Sequence, residues 1–122
     1  MTLRRKVIAI VDNDPSVLEG IDSLLRGSGY LTELYCSAEA FLDAATVSEV
    51  TCLVLDIQLD GMSGIELRHR LTASGSNLPT IFMTGCEDDE MCKRAIEAGC
   101  VTYLQKPFRA DFLLDAIEKA GC

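Results

Sequence analysis

The sequence holds no tryptophan, three prolines and a single histidine, His69, in 122 residues. One imidazole rules out a multi-histidine metal centre. Long apolar runs are missing too: none approaches the roughly 18 residues that cross a bilayer as a helix. The apolar stretch after Arg4, Arg5 and Lys6 extends only from Val7 to Val11, too short for a secretory signal. A cytoplasmic protein that does not enter a membrane is expected. Basic residues are few, 11 Lys and Arg against 19 Asp and Glu, and the net charge of −8 has the wrong sign for a surface that neutralises nucleic-acid phosphates. The one basic cluster reads as a solvated lead-in to a strand. The six cysteines, Cys36, Cys52, Cys86, Cys92, Cys100 and Cys122, include no C-x-x-C pair, so neither a zinc ribbon nor a disulfide framework is expected, and most of them read as small apolar fillers.

What is present is a hydrophobic content of 48% spread along the whole chain, enough for one compact domain over residues 1–122. Short apolar runs alternate with amphipathic stretches, the pattern of βα units around a parallel sheet. Five strands are predicted: Lys6 to Val11, Leu31 to Tyr35, Cys52 to Leu55, Thr80 to Met83 and Val101 to Leu104. The first, third and fourth should form the core of the sheet, the first and third being almost entirely aliphatic as strands covered on both faces are. Asp14-Pro15 is a helix start, followed by Val17, Ile21, Leu24 and Leu25 on one face and closed by Gly27 and Gly29. Ser37 and Ser63 can cap the second and third helices, with Phe41, Leu42, Ile65, Leu67 and Leu71 turned inward. Asp88 to Ala98, stopped by Gly99, and Asp111 to Ala120 supply the fourth and fifth. The fold class is therefore α/β, a single doubly wound five-stranded parallel sheet.

Ligands of such sheets sit beyond the carboxyl ends of the strands. Those ends carry Asp12-Asn13-Asp14, then Asp56, Thr84, and Lys106-Pro107. Neighbouring parallel strands lie about 4.8 Å apart, so these side chains can share one crevice. Carboxylates, a hydroxyl and an ammonium together suit phosphoryl transfer, where the work is to neutralise oxygens in transit. Asp56 would be the nucleophile, Asp12 and Asp56 would hold Mg2+, and Lys106 and Thr84 would each meet a phosphoryl oxygen. Asp14, next to Pro15, reads as a helix cap rather than a ligand. Taken alone, Lys106 is an ordinary surface lysine and Thr84 a strand-end residue; their joint placement is what carries weight.

The segments IVDNDPSV, LVLDIQLDGMSGIEL around Asp56, IFMTG at Thr84 and YLQKPF at Lys106 resemble the receiver domains of two-component response regulators, over essentially the whole chain. The resemblance implies a (βα)5 flavodoxin-like fold with strand order 2-1-3-4-5. It implies a signalling switch rather than a conventional enzyme, one that catalyses only its own phosphorylation and dephosphorylation. A histidine kinase or phosphotransfer protein would pass a phosphoryl group to Asp56 in a Mg2+-dependent reaction. Asp12 and Asn13 fall on the acidic pair that holds the metal, and Gln58 on the position that lends it a backbone carbonyl. Thr84 and Lys106 fall on the switch hydroxyl and the phosphate-pairing lysine, and Tyr103 on the switch aromatic. The face made by the fourth helix, fifth strand and fifth helix would then serve a partner or a homodimer.

Two positions depart from the family pattern. Asn13 stands where an acid is usual, which leaves the metal side one negative charge short and predicts weaker magnesium binding. Asp60 stands in the loop after the acceptor where proline is usual, losing a fixed φ and adding a carboxylate. Two other readings compete. In one, the chain is a receiver-like interaction module that takes no phosphate. In the other, Asp12-x-Asp14 belongs to a haloacid-dehalogenase-type phosphohydrolase, with Asp12 as nucleophile and Asp14 as acid/base. That reading leaves the block around Asp56 without a role.

Overall fold

A computed structural model describes residues 6–44, 49–85, 90, 93–94, 97 and 102–120. Five strands, β1 (Val7–Val11), β2 (Leu31–Tyr35), β3 (Cys52–Asp56), β4 (Thr80–Thr84) and β5 (Thr102–Gln105), form one parallel sheet in the order β2-β1-β3-β4-β5. The expected order and fold class hold. Strands β3 and β4 are buried along their whole length and β1 in four of its five residues, as their aliphatic sequences require. β2 and β5, at the edges, have no fully buried residue, and along β5 half-buried and exposed positions alternate.

The period of two along each strand divides the core into two layers. Ile8, Ile10, Cys52, Val54, Ile81 and Met83 face one side, against Leu18, Ile21 and Leu25 of helix α1 (Pro15–Gly27) and Leu113 and Ile117 of the C-terminal helix (Ala110–Lys119). Ala9, Val11, Leu53, Leu55 and Phe82 face the other, against Phe41 of α2 (Ala38–Asp43) and Leu67 and Leu71 of α3 (Gly64–Ala73). Each fully buried side chain of this size contributes about 1.5–3 kcal/mol by leaving water, and this two-sided burial holds the strand tips in register.

The helix boundaries follow from their caps. Asp14 accepts from the Ser16 N–H at 2.9 Å at the start of α1, with Pro15 in the first helical turn. Gly29, at φ +94, follows its end. Ser37 accepts from Ala40 N–H and Ser63 from Glu66 N–H to open α2 and α3. On α3 the sequence pattern misses Arg68, whose side chain is buried and donates to the Leu78 carbonyl at 2.7 Å and the Thr80 hydroxyl at 3.2 Å, tying the helix to the start of β4. The expected helix from Asp88 to Ala98 falls largely outside the described residues, though Glu90, Lys93, Arg94 and Glu97 are helical and exposed. Cys86, Cys92, Gly99, Cys100, Val101 and Cys122 also fall outside them. Cys36 is exposed and Cys52 buried.

Candidate functional site

Strand phase explains why three distant residues meet. Asp12, Asp56 and Lys106 each lie two positions beyond a residue of the same core layer, namely Ile10, Val54 and Leu104. At a period of two, that places them on one side of the sheet at its carboxyl edge. Lys106 reaches over β4, and its Nζ donates to Asp12 Oδ2 at 2.6 Å and to Asp56 Oδ2 at 3.2 Å. Both acids are buried. The remaining oxygen of each is also engaged, Asp12 Oδ1 by the Asp14 N–H at 2.9 Å and Asp56 Oδ1 by the Gln58 N–H at 3.0 Å. A fixed network of charge-assisted hydrogen bonds thus replaces the lost hydration.

The charges do not balance: two carboxylates share one ammonium. Burial raises the Asp56 carboxyl above its ordinary range; the Gln58 N–H and the charge of Lys106 pull it back only in part, and the negative charge of Asp12 adds to the rise. For Lys106 burial acts downward, but the hydrogen bond to Asp12 and the charges of both acids outweigh it, so the ammonium is held above its ordinary value.

The other expected site residues are arranged around this trio. Thr84 is buried at the end of β4, and its carbonyl accepts the Lys106 N–H at 2.7 Å, which fixes the backbone of the lysine to the strand next to Asp56. Gln58 is exposed two residues past the end of β3. Tyr103 lies on β5 opposite Phe82, 38% exposed and outside the trio. Asn13 is exposed, and its amide nitrogen donates to Asp60 Oδ2 at 3.3 Å. Asp14 is exposed and capped onto the Ser16 N–H, which lowers its pKa. That bond takes up the carboxylate the phosphohydrolase reading needs as acid.

Sequence reasoning missed the residues that shape the loop after Asp56. A Cβ at Gly64 would come within 2.2 Å of the Asp56 carbonyl oxygen, so the start of α3 can pack behind Asp56 only with glycine there. Gly64 N–H also donates to the Ile57 carbonyl at 3.0 Å. Glu39 of α2 accepts from the Met62 N–H at 3.3 Å, beside Gly61 at φ +76. Two glycines in the run DGMSG were the available signal; the partner, Glu39, had none.

Among the described residues, no three or more His, Cys, Asp or Glu side chains form a ready metal cluster. The donor set nonetheless fits a hard divalent cation. It offers two buried carboxylates with one excess negative charge, oxygen donors of the kind magnesium accepts together with water.

A family model described as the response regulator receiver domain matches residues 8–118. The response regulator protein TodT of Pseudomonas putida is 41% identical over 120 residues, 98% of this chain and 53% of its own length. The transcriptional regulatory protein FixJ of Bradyrhizobium diazoefficiens is 36% identical over 113 residues, 93% of this chain and 55% of its own. The chain therefore spans about half the length of these relatives. The crystal structure of FixJ-N superposes with a TM-score of 0.86 at 34% identity, covering 97% of this chain and 94% of that one.

Proposed function

Because the chain belongs to the response regulator receiver domain family, we propose that it is a phosphorylation-dependent switch of a two-component system in which Asp56 accepts the phosphoryl group. The observation that carries the reading is the convergence of Asp12, Asp56 and Lys106, held together by one ammonium at 2.6 and 3.2 Å. A histidine kinase or a phosphotransfer protein is the donor. An Asp56 carboxylate oxygen attacks the phosphorus of its phosphohistidine, the P–N bond breaks as the P–O bond forms, and the imidazole leaves with the bonding pair. Water later cleaves the acyl phosphate and regenerates the carboxylate.

Lys106 is placed to serve as the cation for a phosphoryl oxygen: its ammonium already lies against Asp56 and is held firmly protonated. Asp12, Asp56, the Asn13 amide oxygen and the Gln58 carbonyl would hold magnesium, which when bound supplies positive charge against a second phosphoryl oxygen. Thr84, at the end of the neighbouring strand, is the hydroxyl for the third. An open, largely apolar groove beside Lys106, lined by Val17, Gly20, Ile21, Leu24 and Phe108, leaves room for the donor protein.

Phosphorylation adds charge and acceptor oxygens at Asp56. Drawing Thr84 toward them shifts the population between two packings of the strand ends. The output face is that of the helix before β5, β5 itself and the C-terminal helix. Two large exposed apolar side chains there support the assignment, Tyr103 on β5 and Phe112 on the helix, 54% exposed with Arg109 stacked on its ring. Such a face suits a protein partner or a second copy, and the acidic chain suits no direct contact with nucleic acid. Residues 1–122 act as one receiver domain in the cytoplasm; among the described residues no helix is long and apolar enough to cross a membrane.

The test is a mass measurement after incubation with magnesium and acetyl phosphate. One phosphoryl adduct on the natural chain, abolished by Asp56→Asn, is the expected result. No adduct even with a kinase would mean an inert module. An adduct lost with Asp12→Asn but kept with Asp56→Asn would mean a hydrolase.

A further inference from the structure

The two positions that depart from the family pattern touch each other: Asn13 Nδ2 donates to Asp60 Oδ2 at 3.3 Å, across 47 positions of sequence. A carboxylate only accepts, so the end of the amide bound to it must be the NH2, and the oxygen is the end left to act as ligand. The loop carrying Asp60 is also held by Glu39, which accepts from Met62 N–H at 3.3 Å, and turned by Gly61 at φ +76. Asp60 is thus presented by a braced loop. A proline at that position would offer neither an acceptor nor a charge.

We propose that Asp60 is a positioning residue of the metal side, orienting the Asn13 amide for magnesium and returning the negative charge that Asn13 lacks. The two departures are then one compensated change, a carboxylate moved from position 13 to position 60. This rests on the magnesium-dependent reading of the site. Both side chains are exposed, so the charge acts through water and salt. A unit charge acting on a divalent ion through water changes its affinity by several-fold at low ionic strength and by about three-fold near 0.1 M, where salt screens it. Orientation of the amide adds a further factor of about three.

The experiment is a magnesium titration, read by calorimetry, of the natural chain, Asp60→Ala, Asp60→Asn, Asn13→Asp and Asn13→Asp/Asp60→Ala, with thermal unfolding in magnesium-free buffer as the control for folding. Near 0.1 M salt Asp60→Ala weakens binding about ten-fold in the natural chain but no more than about three-fold in the Asn13→Asp background, where no amide needs orienting. Asp60→Asn keeps an acceptor oxygen and loses only the charge, so it falls between. Equal losses in both backgrounds, or none, with the natural chain still binding magnesium, overturn the proposal alone. A natural chain that binds no magnesium at millimolar concentration overturns the metal reading together with it.

Discussion

Lys106 bridges Asp12 and Asp56, 2.6 Å from one and 3.2 Å from the other, so a single ammonium joins the tips of two strands that are neighbours in the sheet but 44 positions apart in sequence. The bridge is closer to Asp12, so Asp56 receives the longer and weaker of the two contacts. An acceptor has to be ionised yet poorly satisfied, since a carboxylate locked in strong hydrogen bonds is a poor nucleophile.

Under-compensation costs stability, and the cost has a sign that can be measured. Burial raises the Asp56 carboxyl in the folded chain above its value in the unfolded chain. The folded state gains from protonation of this group at low pH and loses that gain as pH rises through the folded value. Asp56→Asn should therefore stabilise the magnesium-free protein at pH 7 by about 1 kcal/mol, or roughly 3–6 °C in midpoint. The advantage should shrink as pH falls toward the ordinary carboxylate range. Thermal unfolding at pH 7 and pH 4 reads both; a variant less stable than the natural chain at pH 7 would contradict it.

Lys106→Met keeps the long apolar stem and removes the charge. Phosphorylation by acetyl phosphate should slow about 100-fold, since a cation preplaced on a developing phosphoryl charge is worth that much. Magnesium affinity should not fall, because a competing positive charge has left the two carboxylates. Stopped-flow phosphorylation and a metal titration separate the effects, and loss of both together would make Lys106 a structural residue only.

The strands and the trio at their tips were legible because both follow from local pattern. Uninterrupted aliphatic residues give β1 and β3 their place inside the sheet, and a period of two carries the phase of Ile10, Val54 and Leu104 on to Asp12, Asp56 and Lys106. The pairing of Asn13 with Asp60, and of Glu39 with Met62, was not legible. Each depends on how loops from different βα units come together, which no periodicity encodes. Arg68 was hidden for a related reason: a charge on the inner face of α3 breaks the apolar pattern, and its bonds to the Leu78 carbonyl and Thr80 hydroxyl come from a turn and strand that the helix periodicity does not encode.

Asp14 stands two residues from Asp12 and tests whether acidity near the site is enough to matter. Its carboxylate caps α1 on the Ser16 N–H. Asp14→Ala should lower the unfolding midpoint, as loss of a helix cap does, while magnesium affinity and phosphorylation change less than about two-fold. Asp14→Ser should restore the stability. A ten-fold loss of magnesium affinity in Asp14→Ala would instead place it among the ligands.

Gly64 offers the sharpest link between backbone and chemistry. It has ordinary helical surroundings, and nothing about its φ demands glycine; the demand comes from the Asp56 carbonyl oxygen, 2.2 Å from where a Cβ would stand. The obstacle is backbone, so no side-chain rotation can relieve it. Either α3 or the end of β3 must move. Overpacking of this kind costs about 1–3 kcal/mol, and Gly64→Ala should unfold correspondingly earlier. Because the displaced atom belongs to the acceptor residue itself, the damage should not end with stability. Moving Asp56 also strains its bonds to Lys106 and to the Gln58 N–H, at 3.2 and 3.0 Å, and a displacement near 1 Å at a reacting group slows transfer by about 100-fold. Gly27→Ala, at the end of α1 where a Cβ meets nothing within 4 Å, is the control and should leave both stability and phosphorylation essentially unchanged. Thermal unfolding and acetyl phosphate kinetics on the two variants decide the matter: a Gly64→Ala protein that is less stable yet phosphorylated at the normal rate would show that α3 yields and the acceptor does not.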